Sequence, residues 1–89
     1  MSCSRVIEIT NRRGLHARAS ARFVTLAAEL PAKVEVEKDG NRVCGTSIMG
    51  LMMLGAAMGD TITLHCDGDG CTDALDQLTA LVVGRFGED

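Results

Sequence analysis

Between residues 33 and 37 the chain alternates without exception. Lys33, Glu35 and Glu37 are charged, while Val34 and Val36 are apolar and β-branched. Successive side chains of a strand point to opposite faces, so this strand has one wetted face and one that must be covered. The pattern returns at Thr61 to Cys66, with Ile62, Leu64 and Cys66 facing one way. A one-sided sheet needs a second layer. Two segments with helical period supply it: Ala17 to about Glu29, with Phe23, Val24 and Ala27 on one face, and about Thr72 to Phe86, striped by Leu75, Leu78, Val82 and either Phe86 or Arg85. The fold class that follows is α+β, a two-layer open-faced sandwich.

The remaining segments complete the order β-α-β-β-α-β-α. Arg5 to Thr10 is β-branched and reads as the first strand, and Asn11-Arg12-Arg13-Gly14 is a turn. Leu30-Pro31 ends the first helix, because the residue before proline is driven out of the helical region. Asp39-Gly40 signals a hairpin into a short strand, Arg42 to Cys44. Ser47 to about Leu54 is a short Met-rich helix, and Asp67-Gly68-Asp69-Gly70 turns into the last one. Asp73 and Asp76 at that helix's start and Arg85 at its end match the helix dipole. With 89 residues, no repeat and no linker, residues 1–89 are expected to form a single domain burying ~60–65% of the unfolded surface.

Composition removes several functions. The net charge is −3 with both signs interleaved, against the basic face expected of a nucleic-acid or membrane-surface protein. Phe23 and Phe86 are the only aromatics, too few for the stacking platforms of RNA-binding sheets. No apolar run is long enough to span a bilayer, and Met1 to Ser4 has no signal-peptide core, so a cytoplasmic protein is expected. In that setting Cys3, Cys44, Cys66 and Cys71 are expected to be unpaired thiols. The stretch Asp67 to Asp73 is only faintly like a calcium loop: the sixth position lacks glycine and the twelfth is Leu78. No metal or other cofactor is expected. His65, on the polar side of its strand, reads as a surface residue.

The segment with chemistry is Gly14-Leu15-His16-Ala17-Arg18-Ala19-Ser20. Gly14 permits a tight turn and places His16 at the N-cap of the first helix. The backbone amides of Ala17 and Arg18 there lack intrahelical partners. With the helix dipole they form a small anion site, to which the Arg18 guanidinium adds a charged fork. Both features disfavour imidazolium and so favour a neutral, nucleophilic ring. No acid–base partner, triad or metal cluster is evident around His16, so a carrier fits better than a self-contained enzyme.

This segment resembles the active-site motif of the histidine-containing phosphocarrier (HPr) family of the bacterial phosphotransferase system. A second motif, Ser47-Ile48-Met49-Gly50-Leu51-Met52-Met53-Leu54-Gly55, stands at the family's separation. The resemblance covers nearly the whole chain. It implies a four-stranded antiparallel sheet, phosphorylation of His16 with Arg18 assisting, and regulatory phosphorylation of Ser47, the target of an HPr kinase/phosphorylase. The implied partners are Enzyme I as donor and an Enzyme IIA-type acceptor, with the protein itself a monomer. Many members have proline where this chain has Ala19; alanine preserves the helical turn, and the local wording resembles the nitrogen-regulatory (NPr) branch.

Ser47 is also a good N-cap. In the helix behind it, Leu51, Leu54 and Met58 are expected in the core, and Ile48, Met49 and Met52 on an exposed, adaptable docking face. A regulatory adaptor, acting through Ser47 with His16 idle, is the competing reading; the pairing of His16 with Arg18 favours the carrier.

Overall fold

The computed structural model describes residues 1–88. Its elements are β1 (Ser2–Glu8), α1 (Ala17–Glu29), β2 (Lys33–Lys38), β3 (Asn41–Cys44), α2 (Ile48–Met53), β4 (Thr61–Asp67) and α3 (Cys71–Val83). A short 3₁₀ turn, Arg85–Gly87, follows. The four strands form one antiparallel sheet in the order β1-β4-β2-β3, as the α+β open-faced reading requires. The alternation at Lys33 to Glu37 is realised in space: Val34 and Val36 are buried opposite Cys66 and Leu64 of β4, while Glu35 and Glu37 line the helix-free face. Phe23 and Ala27 of α1 and Leu75, Leu78 and Val82 of α3 close the apolar side.

Several boundaries and contacts differ from expectation. β1 starts at Ser2 and ends at Glu8, rather than spanning residues 5–10, because its ladder runs from Ser2 opposite Asp67 to Glu8 opposite Thr61. Ser2-Cys3-Ser4 has little intrinsic strand signal; its partner strand orders it. α3 stops at Val83, three residues early. Gly84 ends the helix, and Arg85, Phe86 and Gly87 then take left-handed backbone angles, with φ of 59°, 55° and 77°. Phe86 still fills the core, but Arg85 no longer sits in the helix to complement its dipole. Asp76 lies beyond the first turn and instead bonds Arg5 of β1, at 2.9 Å. Met58 is exposed, not core, since α2 ends at Met53 and residue 58 falls in the turn before β4.

The cysteine expectation is also corrected. Cys3 and Cys71 are joined in a disulfide, with Cα atoms 6.0 Å apart; Cys44 and Cys66 are free. The two bonded residues are 68 positions apart and meet only because β1 and α3 begin at the same end of the molecule. Among the described residues no helix is long and apolar enough to cross a membrane.

Candidate functional site

The loop from Asn11 to Leu15 sets His16 in place. Gly14 takes φ of 61°, and a Cβ there would stand 2.2 Å from the Ala56 carbonyl oxygen, so no larger residue fits. Its neighbour Leu15 is buried and its amide donates to that same carbonyl, at 2.9 Å. This ties the loop to the segment just after α2. Ser20, also buried, donates its hydroxyl to the Leu15 carbonyl at 3.1 Å.

His16 then caps α1 with extended backbone. The Arg18 amide donates to its Nδ1, at 3.3 Å, and its Nε2 lies 2.5 Å from Glu88 Oε2. These contacts assign the tautomer: Nδ1 carries the lone pair and Nε2 the proton. The nitrogen that keeps its lone pair is thus the one facing the helix start.

Glu88 is held in turn. Fully buried Asn11 donates its side-chain amide to Glu88 Oε1 at 3.0 Å and to the Gly14 carbonyl at 2.8 Å. Arg22 donates to the Phe86 carbonyl, fixing the turn that delivers Glu88. The Asn11 hydrogen bond, followed by that from His16 and the nearby charges of His16 and Arg18, holds the Glu88 carboxyl below the usual glutamate range; desolvation opposes them.

The structure therefore corrects the expectation that His16 has no acid–base partner. Glu88 and Asn11 are 72 and 5 residues from it in sequence. Asn11 read as turn chemistry, and Glu88 followed an expected helix; neither carries a local signal for a contact with His16. Arg12, Arg13, Arg18 and Arg22 line one open cavity of about 340 Å³ with Glu88. Four of the chain's nine Lys and Arg residues thus face one small region that includes Glu88, the partner of His16, although the net charge is negative.

Ser47 lies at the other motif. Its hydroxyl caps α2 by accepting the Gly50 amide at 2.9 Å. Ile48, Met49 and Met52 are exposed, and Met53, not singled out from the sequence, is more exposed still. α1 packs against α2, and the Leu15 amide bonds the Ala56 carbonyl, so the His16 loop adjoins the segment that follows α2. Among the described residues no group of three His, Cys, Asp or Glu side chains could hold a metal ion.

Known proteins share this sequence pattern and fold. Residues 3–83 match the family model described as the PTS HPr component phosphorylation site. The chain is similar to phosphocarrier protein HPr of Neisseria meningitidis, at 51% identity over 92% of each chain. It resembles phosphocarrier protein NPr of Shewanella violacea at 39% identity, covering 94% of this chain and 92% of that one. Among solved structures, HPr-C-His from Thermoanaerobacter tengcongensis superposes with a TM-score of 0.93 at 40% identity, covering 98% of both chains.

Proposed function

This chain belongs to the HPr family of phosphotransferase-system phosphocarriers, and on that premise we propose that His16 Nδ1 accepts a phosphoryl group from Enzyme I and passes it to an Enzyme IIA-type acceptor. The observation that carries the reading is the divided role of the imidazole. Nε2 is committed to Glu88, whereas among the described residues Nδ1 has the Arg18 amide as its one hydrogen-bond partner, at the start of α1.

In the forward step the Nδ1 lone pair attacks phosphorus, the Nδ1–P bond forms and the donor–P bond breaks. The ring becomes cationic, and the Nε2 proton stays in its hydrogen bond to the Glu88 carboxylate, which offsets that charge. The Arg18 amide gives up Nδ1 and donates to a phosphoryl oxygen instead, within the favourable field of the helix N-terminus. Arg18 supplies a charge-assisted hydrogen bond. Onward transfer reverses these exchanges: the acceptor's nucleophile attacks phosphorus, and the electron pair of the Nδ1–P bond returns to Nδ1. Dipole stabilisation of only about 0.3–2 kcal/mol suits a group that must leave again.

The exposed surface of Ile48, Met49 and Met52 docks these partners, with apolar burial giving roughly 25 cal/mol per Å². Ser47 is the regulatory site, addressed by an HPr kinase/phosphorylase. A phosphate there keeps the helix, whose N-terminus tolerates an anion, but sets a charge of about −1.5 to −2 at the edge of the docking surface. The protein acts as a cytoplasmic monomer and as a reactant, without turnover of its own. Incubation with Enzyme I and phosphoenolpyruvate tests the reading. We expect one acid-labile phosphoryl group per chain; a protein that remains unphosphorylated, or gains only an acid-stable phosphate, overturns it.

A further inference from the structure

We propose that Cys3 and Cys71 are a reversible redox pair, reactive toward disulfides of the glutathione class, that sets the strength of the seam between β1 and α3. Among the described residues this seam is held at three places along its length. Cys3–Cys71 closes one end. Arg5 bonds Asp76 at 2.9 Å and Thr79 at 3.1 Å along its length. Asn11, just past β1, bonds Glu88, just past α3, at the other end. Only the first can be made and broken by electron transfer.

The fold does not depend on that bond. β1 is paired with β4 along seven registered positions, and Ile7, Leu75, Leu78 and Val82 are buried in one continuous core. Opening the disulfide therefore loosens the seam without removing the sheet or the core. Access is one-sided: Cys71 is buried, whereas Cys3 is only partly covered and lies on an edge strand. Incoming disulfides thus react at Cys3.

In oxidation the Cys3 thiolate attacks glutathione disulfide, forming a mixed disulfide and releasing one glutathione thiolate. The Cys71 thiolate then attacks the Cys3 sulfur and expels the second. Two cysteine thiols lose two electrons and two protons in all, and one glutathione disulfide becomes two glutathiones. In the reverse direction Cys71 leaves as a thiolate at the first position of α3, where the helix N-terminus stabilises negative charge. Cys66 stands opposite Cys3 in the ladder, but burial pushes its thiol up, keeping it protonated and unreactive.

The proposal is independent of the role given to His16. Its test uses the full chain with Cys44→Ser, which removes the exposed thiol from the assay. The protein is equilibrated across a series of reduced-to-oxidised glutathione ratios, trapped with iodoacetamide, mapped by peptide mass spectrometry and melted. We expect a reversible transition to a species linked only through residues 3 and 71, with Tm higher by on the order of 10 °C in the linked form. Adding Cys3→Ser should abolish the glutathione dependence of Tm while the protein still folds. Failure of the 3–71 link to form at any ratio, a link that free glutathione cannot reduce, or equal Tm in the two forms overturns the proposal.

Discussion

The two histidines form a comparison within one molecule. The His16 and Glu88 side chains keep 16% and 15% of their exposure; His65 and Glu37 keep 23% and 33%. Each histidine presents Nε2 to its glutamate, at 2.5 and 2.7 Å. A carboxylate partner therefore does not distinguish the proposed phosphoryl acceptor from the other histidine. The difference lies around the other ring nitrogen. The Nδ1 of His16 accepts the Arg18 amide at the start of a helix, and its partner Glu88 lines a cavity with four arginines. His65 sits on β4, between β1 and β2, with Ser4 and Glu35 opposite it. The backbone amides there are spent in ladders, and the pocket that His65 lines holds Glu35 and Asp67 as well as Lys33 and Arg42, with Arg42 already paired to Glu35.

The largest expected effect breaks the comparison outright. His16→Ala should abolish phosphoryl acceptance while circular dichroism stays native, and His65→Ala should leave acceptance intact. Radiolabelled phosphoenolpyruvate with Enzyme I reads both. Next comes Arg18→Ala, which removes a charge-assisted hydrogen bond worth roughly 1.5–3 kcal/mol; rapid-quench transfer rates should fall by about one to two decades.

The carboxylates sharpen the comparison further. Glu88→Gln keeps a hydrogen-bond acceptor for Nε2–H but loses the charge that offsets a cationic ring, so transfer should slow by less than about tenfold. Glu37→Gln should change nothing. The Glu88 contact also has a pH signature. Because its carboxyl is held below the ordinary value, its stabilising contribution is complete above the unfolded pKa, about 4.3, and is lost as pH falls through the lower folded value. Asn11 side-chain amide NMR signals should therefore hold steady from pH 7 to about 5 and move only on further acidification. The smallest effects concern docking. Ser47→Asp and Met49→Ala should each raise the apparent KM for Enzyme I by up to about tenfold, roughly 1.4 kcal/mol, with helicity nearly unchanged. Unaltered KM in both variants would show that α2 is not the docking surface.

What the sequence discloses follows the range of the interactions. α1 is legible at both ends, Ala17 and Glu29, because its boundaries rest on adjacent chemistry: a capping His16 and a helix-ending Pro31. Val34 and Val36 are legible because alternation fixes a side chain's face locally. The His16–Arg18 half of the site is legible for the same reason, lying within one helical turn. Glu88 is not: it meets His16 only after Gly84 breaks α3 and three left-handed residues swing the chain back, with Phe86 as the buried anchor. Met58 misled because helical spacing continues past the point where α2 stops. Cys3 and Cys71 carried no pairing signal, since their meeting depends on how β1 and α3 stack.

If the helix start selects both the histidine and the nitrogen, ¹⁵N NMR of the phosphorylated protein, labelled at histidine, shows it most directly. A single phosphohistidine at His16, with phosphorus coupled to Nδ1 and a proton retained on Nε2, is the predicted result. Phosphorus on Nε2 of His16, or on either nitrogen of His65, would contradict it.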